Sequence, residues 1–340
     1  VNDYAPMLRA LLGRRDLSAA QTAEMIGAIM DETLTPVRAA ALLTALAAKG
    51  ETVDEVVGAA TAMLERSIRV DHAQPLVIDV CGTGGDGAQT LNISTAAAFV
   101  VAGAGVPVAK HGNRAASSAC GSADVLEALG VRLERSPQAS ARLLHSSNIT
   151  FLFAQHHHPA MRAVGPIRRE LGIRTIFNLL GPLTNPAGVT HQVVGVATPA
   201  TLDLLARALR ALGRRAGAVV HAQSGLDEVD GAGPTEVAQF DSSGMRRWTL
   251  VPSDYGVVAT RADLRGGDAG WNARALTAIL TGEVSPRADV VCLNAALALV
   301  VAGVAVDIND GLLRARASVA CGAARSALDA LRAAREMEYA

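Results

Sequence analysis

Apolar positions over roughly the first 66 residues recur every three to four places. Leu8, Leu11 and Leu12 are followed by "DLSAAQTAEMIGAIMDE", "TPVRAAALLTALAAKG" and "TVDEVVGAATAMLERS". This period predicts amphipathic helices. Ser18 and Gln21 make a candidate capping box, and Gly50 a natural helix stop. No β-rich run interrupts residues 3–66, so they read as an all-helical unit of roughly four helices.

From Pro75 short apolar runs alternate with helical stretches. "PLVIDV" leads to "STAAAFVVAGAG", "VPVAKHG" to "SADVLEALG", and "ITFLFA" to a helical stretch from Pro159. "HQVVGVA" leads to "TPATLDLLARALRALG", and "AGAVVHA" to a polar loop. Such alternation predicts a mostly parallel sheet covered by helices. Residues 235–250 read as an antiparallel ribbon and 286–337 as two terminal helices. The predicted fold class is α/β: a small all-helical N-terminal domain plus a larger α/β domain with a mostly parallel central sheet. The expected boundary falls at 1–70 and 71–340, with one shared interface and a cleft between the units.

Half of the 340 residues are apolar, many of them Ala, and 3% are aromatic, which favours close packing of helices with small side chains. A net charge of −1 does not mark a bulk nucleic-acid or anionic-membrane binder. No apolar run reaches the roughly 18 residues of a membrane span. "VNDYAPMLRALLGRRD" shows no signal-peptide pattern. Cys81, Cys120, Cys292 and Cys321 are far apart and form no C-x-x-C, so reduced thiols and a cytoplasmic location are expected. The 31 basic residues include two lysines, Lys49 and Lys110; the other 29 are arginines.

Candidate chemistry begins with "LVIDVCGTGGDGAQTLNIST". Gly82-Thr83-Gly84-Gly85-Asp86-Gly87 fits G-x-G-x-x-G, but its surroundings reject a dinucleotide site. The polar "AQTLN" separates the glycines from the next helix, and the next acid after Asp86 is Asp124. A P-loop fails too, since Ala88 and Gln89 stand where Lys and Ser/Thr belong. Glycines that turn the backbone sharply can still aim N–H groups at an anion, and Asn92-Ile93-Ser94-Thr95 would cap the helix beyond. The second turn, "KHGNRAASSACGS", adds Lys110, His111, Asn113, Arg114, Ser117, Ser118 and Ser122. Both turns follow strand C-termini, where parallel α/β sheets bind ligands. Together they read as an oligophosphate cradle; the alternative is a pair of ordinary tight turns.

Asp227 and Glu228 follow the strand "AGAVVHA" and could hold Mg²⁺, with Ser94 adding an oxygen. The alternative is a solvated acidic loop. In "MRAVGPIRRELGIRTIFNLLGPLTNP" the arginines Arg168, Arg169 and Arg174 read either as surface ion pairs or, for Arg168, as a clamp on a substrate carboxylate. Arg168 is expected early in its helix, where the dipole disfavours a cation. His156-His157-His158 reads as a strand-to-helix join, since neighbouring positions cannot all face one ion. His111, beside the cradle, is the better ligand candidate.

Four segments, "DVCGTGGDGAQTLNIST", "KHGNRAASSACGSADVLEALG", "GIRTIFNLLGPLTNP" and "GLDEV", together resemble the anthranilate phosphoribosyltransferases, nearly end to end. The two glycine-rich motifs are shared more loosely with pyrimidine nucleoside phosphorylases. The resemblance implies the fold of nucleoside phosphorylases and class III phosphoribosyltransferases. It also implies a helical domain joined by helices from about 160–185, and a homodimer formed through it. The implied reaction transfers the phosphoribosyl group of phosphoribosyl pyrophosphate to the amine of anthranilate, with Mg²⁺, in tryptophan biosynthesis. Implied donor contacts are Gly82, Gly85, Asp86, Thr90, Asn92, Ile93, Ser94, Thr95, Lys110, His111, Gly112, Asn113, Arg114, Ala115, Ala116, Ser117, Ser118 and Ser122. Gly82, Asn113 and Arg168 would contact anthranilate; Ser94, Asp227 and Glu228 would hold Mg²⁺. The nearest departure is Ala119-Cys120, where many relatives carry a lysine or other polar residue.

The implied chemistry is compatible with these residues. Lys110 and backbone N–H groups would offset charge on the leaving pyrophosphate. An aromatic amine is already neutral at pH 7, so no strong general base is demanded. A nucleoside phosphorylase is the enzyme rival, disfavoured by Arg168 and "KHGNR". A nucleic-acid-binding relative is the other, disfavoured by the net charge, the scarcity of aromatics and the filled cradle positions.

Overall fold

The computed structural model describes residues 4–115 and 119–334. Its first four helices are α1 (Ala5–Leu12), α2 (Ala19–Met30), α3 (Pro36–Lys49) and α4 (Val53–Glu65). The expected capping box forms: Gln21 N–H donates to Ser18 Oγ at 3.2 Å, and Gln21 Oε1 accepts from the Ser18 N–H at 3.0 Å. Gly50 ends α3 at φ +90°, a conformation L residues avoid. Lys49 lies 3.0 Å from Glu55 and 2.8 Å from Asp16. Glu55 also accepts the N–H groups of Leu17 at 2.9 Å and Thr52 at 2.8 Å. One buried carboxylate thus ties α3, α4 and the segment before α2 together.

The α/β part runs β1 (Ile78–Gly82), α5 (Ile93–Gly103), β2 (Val108–Gly112), α6 (Ser122–Ala128), α7 (Pro137–Ser147) and β3 (Ile149–Phe153). It continues through α8 (Ala154–His157), α9 (Met161–Leu171), α10 (Phe177–Leu183), β4 (His191–Gly195), α11 (Ala200–Ala211) and β5 (Ala216–Ala222). The ribbon β6 (Thr235–Asp241) and β7 (Gly244–Leu250) precedes α12 (Ala269–Leu280), α13 (Pro286–Val301), α14 (Ile308–Ala320) and α15 (Ala323–Ala333). The 7-stranded sheet has the order β3-β2-β1-β4-β5-β6-β7. β1 to β5 are parallel, and β6 and β7 pair antiparallel.

The C-terminal stretch differs from expectation. Its described residues form three helices rather than two, broken around Gly303 (φ +71°) and at Gly322 (φ +80°), both in the left-handed region. The sequence pattern also missed α7 and α12. Residues 235–250 form the antiparallel ribbon as expected.

α5 is buried almost end to end between the sheet and the C-terminal helices. A second core joins α1–α4 to Val164 of α9, Phe177 and Leu180 of α10, and the other face of β4–β6. The helical part is therefore packed onto the sheet through α9–α11. Among the described residues no helix is long and apolar enough to cross a membrane.

Glu55→Ala leaves Lys49 and two N–H groups without their shared acceptor. Breaking a buried ion pair from one side costs about 3–5 kcal/mol. A urea unfolding curve should show a loss of that order; a loss under about 1 kcal/mol would assign the bridge the weight of a surface pair.

Candidate active site

The strand order reverses between β1 and β4: the chain steps outward from β1 to β2 and β3, then returns to the far side of β1. Ligand crevices in open α/β sheets form beyond the strand C-termini at such a point. Gly82 and Gly195 end the two strands as direct partners, and Thr83 N–H donates to Gly195 O at 2.9 Å. Neither has room for a side chain. A Cβ on Gly195 would lie 1.5 Å from the Asp227 carbonyl oxygen, and one on Gly82 2.3 Å from Asp227 Oδ2. Two bare strand ends let the loop after β5 cross over the top of the sheet.

That loop carries Asp227 and Glu228. Gly84 N–H donates to Asp227 Oδ2 at 2.7 Å, and Ser94 N–H to Glu228 Oε1 at 3.1 Å. Lys110 is buried, its Nζ donating to Val80 O at 2.6 Å and Ser94 Oγ at 3.3 Å. The first glycine turn, the α5 N-terminus, β2 and the carboxylate loop therefore meet, as the sequence led us to expect. Burial pushes the Asp227 carboxyl up to about 7, with the Asp86 charge adding to it. Burial likewise pushes Glu228 up to about 8, with the Asp227 charge adding and Lys110 opposing. Two carboxylates are thus held together at a cost, in a place where a cation would relieve them.

The loop 83–92 turns with Gly84, Gly85 and Gly87 at positive φ. Asp86 Oδ1 accepts the Ala88 N–H at 3.1 Å. Thr90 forms an isolated antiparallel bridge with Arg265. Asn92 precedes α5 but its side chain does not cap it, contrary to expectation. Its amide instead donates to Cys120 O at 3.0 Å and accepts from Asn272 Nδ2 at 3.0 Å, linking both turns to α12. The side chains of Ile93 and Thr95 are buried in the core, where the Thr95 hydroxyl has no hydrogen-bond partner among the described residues.

In the second turn, Gly112 leaves space for Ser122, whose Oγ would lie 2.3 Å from an added Cβ. Ser122 Oγ and Ala123 N–H donate to Asn113 O at 3.4 and 3.1 Å. Arg114 is engaged elsewhere: its guanidinium donates to Asp124 at 3.1 Å and Glu127 at 2.7 Å and covers the Phe153 ring. Ala115 N–H donates to Asp124 at 2.9 Å. Ala116, Ser117 and Ser118 lie outside the described residues.

His111 faces away from Lys110, as successive strand residues must. Its Nδ1 is 3.1 Å from Gly181 O of α10, its ring lies edge-on to His158 at 5.1 Å, and its buried Nε2 has no hydrogen-bond partner among the described residues. The structure thus seats it with α10 and not with the carboxylate pair. In the histidine run, His157 ends the short α8 and its Nδ1 is 2.7 Å from Ile68 O. Among the described residues no group of three or more His, Cys, Asp or Glu could hold a metal. Arg168 sits in the last turn of α9, not early in it, where the dipole favours a cation. Half-buried, it lies 5.9 Å over the Phe177 ring and has no carboxylate partner among the described residues; burial pulls its pKa down.

Sequence reasoning missed Gly195, Asn272 and Asn294. Asn294 of α13 accepts from Val229 N–H at 3.0 Å and donates to Val229 O at 2.9 Å, pinning the loop just past Glu228. Gly195 had a signal, since "HQVVG" ends in glycine as "DVCG" does. The asparagines had none, because their partners are far away in the chain.

Two family models match the chain: the helical bundle domain of a glycosyl transferase family over residues 5–67 and its a/b domain over 74–325. An anthranilate phosphoribosyltransferase from Roseiflexus sp. (strain RS-1) is 53% identical over 319 residues, 93% of each chain. The crystal structure of the enzyme of that name from Thermus thermophilus superposes with a TM-score of 0.91 at 42% identity, covering 96% of this chain and 98% of that one. One from Saccharomyces cerevisiae, solved in complex with PRPP and Mg, gives 0.89 at 28% identity over 97% of each. The fold and site define a glycosyl transferase with a helical bundle beside an α/β domain. Within that class, the chain belongs to the anthranilate phosphoribosyltransferase family.

Gly195→Ala should cost about 1–3 kcal/mol of stability by overpacking, because backbone must move to admit the methyl group; an unchanged melting temperature would contradict this packing. The carboxylate pair predicts a pH effect. Folded values above the ordinary 3.8 and 4.5 mean that the native state binds more protons between about pH 4 and 8. The penalty is absent below that window and full above it, so stability falls as pH rises through it. Metal-free protein should lose melting temperature from pH 6 to pH 9, and Asp227→Asn with Glu228→Gln should shrink the loss. An equal loss in both proteins would count against the buried pair.

Proposed function

We infer that this chain transfers the phosphoribosyl group of 5-phosphoribosyl 1-pyrophosphate to the amine of anthranilate, giving N-(5-phosphoribosyl)anthranilate and pyrophosphate in tryptophan biosynthesis. The observation that carries this reading is the meeting of two phosphate-suited turns and a carboxylate pair at the sheet's switch point.

The donor lies across the two turns in this reading. It contacts Gly82, Gly85, Asp86, Thr90 and Asn92 to Thr95 in the first, and Lys110 to Ser118 with Ser122 in the second. The positive end of the α5 dipole suits its phosphates. Ile93 and Thr95 would act through their backbone, since their side chains are buried. Anthranilate would meet Gly82, Asn113 and Arg168. A half-buried guanidinium without a carboxylate of its own suits a carboxylate brought by the substrate.

The donor set fits Mg²⁺, a hard cation that needs one or two carboxylates and shares substrate phosphates. Asp227, Glu228 and Ser94 would hold it, and when bound it neutralises charge on the pyrophosphate oxygens. Lys110, held on Val80 O and Ser94 Oγ, places a fixed positive charge beside the same group. As the bond from ribose to pyrophosphate breaks, that charge costs no reorganisation. The anthranilate amine attacks as the neutral base and loses its proton afterwards, so positioning carries much of the acceleration.

The reading includes a helical domain at 1–70 joined by residues of about 160–185, and α9 and α10 sharing the helical core supports it. It also includes a homodimer formed through that domain, where Leu12 and Val37 are exposed. Four free cysteines suit a reducing, cytoplasmic compartment.

The deciding experiment follows anthranilate fluorescence. Signal should fall only with enzyme, phosphoribosyl pyrophosphate and Mg²⁺ together. Lys110→Ala and the pair Asp227→Ala with Glu228→Ala should each slow turnover at least about 100-fold. No signal loss with folded wild-type protein would reject the transferase and point to phosphate-dependent cleavage of a nucleoside. Full-rate variants would reject the assigned roles.

A further inference from the structure

Arg174 lies in the short link between α9 and α10, on the side of the molecule that packs against α1–α4. It is exposed, and no carboxylate among the described residues lies within ion-pair distance of it. Its guanidinium instead reaches the first glycine turn. A Cβ on Gly85 would stand 2.7 Å from Arg174 Nη1, so the guanidinium lies directly against this glycine. Gly85 also sits at φ +81°, where an L residue is strained. The glycine therefore shapes the turn and lies where a cation reaches it from across the cleft.

Of the other cations near the two turns, Lys110 is held on Val80 O and Ser94 Oγ, and Arg114 by Asp124 and Glu127. Arg168 lies over Phe177 and is assigned to the acceptor, and Arg265 meets the first turn through its backbone bridge to Thr90. A donor with a monophosphate at one end and a pyrophosphate at the other brings more negative charge than Lys110 and one divalent cation answer. Arg174 is a basic side chain that reaches the glycine turn and has no ionic partner among the described residues.

We propose that Arg174 is a further donor-binding residue, laying its guanidinium over Gly85 onto a phosphate of the phosphoribosyl donor. This rests on the transferase reading above. A planar fork suits phosphate oxygens in a way a lysine does not. The contact also makes the helical side of the cleft a participant in donor binding, so that donor and the α9–α10 segment hold each other in place.

The test compares wild type with Arg174→Gln and Arg174→Lys. Dissociation constants for phosphoribosyl pyrophosphate with Mg²⁺ are read by titration calorimetry, and KM values for both substrates by the fluorescence assay. Arg174→Gln should weaken donor binding and raise its KM about tenfold or more, as for loss of a charge-assisted contact. Arg174→Lys should recover part of that. KM for anthranilate should move less than about twofold, and the melting temperature should hold, because an exposed side chain without partners contributes little to folding. Donor affinity equal to wild type in Arg174→Gln overturns the proposal. So does a shift confined to the anthranilate KM. Wild type run alongside separates the readings: if it binds no donor, both fall, whereas donor binding without turnover removes only the transfer reaction.

Discussion

The site depends on two glycines facing each other at the ends of neighbouring strands. Gly82 and Gly195 are partners in the β1–β4 ladder, and Asp227 lies over them, its backbone on Gly195 and its carboxylate on Gly82, at distances a Cβ would not allow. The switch point lies there because the chain crosses back beside β1. The crevice would be closed by ordinary side chains at the strand ends. Its openness lets the carboxylate loop, the first glycine turn and the start of α5 share one small space.

Placing Asp227 and Glu228 together under cover is unfavourable, and the surrounding structure shows how it is sustained. Gly84 and Ser94 each give one carboxylate an N–H, and Asn294 grips Val229 by both its backbone groups. Asn272 and Asn92 do the same for the two turns, connecting α12 to the Cys120 carbonyl through paired amides. Buried Asn side chains are well suited to this because each donates and accepts at once. The C-terminal helices are thus part of the site without lining it.

The helical part contributes from the other side. α9 and α10 belong to the core of α1–α4 yet carry Arg168 and lead into Arg174. Arg168 lies over Phe177 and Arg174 reaches Gly85, and neither has a carboxylate partner among the described residues. A guanidinium without an ionic partner beside a glycine turn is an arrangement for an anionic ligand, and Arg174 brings it from the segment that shares a core with α1–α4.

Much of this was legible in the sequence because it is local. The 3.6-residue period in residues 3–66, the Ser18–Gln21 capping box and the alternation after Pro75 each depend on neighbours a few positions apart. The glycine turn, "KHGNR" and Asp227-Glu228 were readable as chemistry for the same reason, since residue type and position after a strand carry the signal. What the tertiary structure alone decided are long-range matters. These include the partnership of Gly82 with Gly195, the capture of Arg114 by Asp124 and Glu127, and the turning of His111 toward α10. Local pattern also placed Arg168 at the wrong end of its helix and read two helices over 286–337 where three form, since helix limits were set by packing and by Gly303 and Gly322. Contacts between residues dozens to hundreds of positions apart leave no periodic trace in a single chain; they exist only once the sheet order brings their strands together.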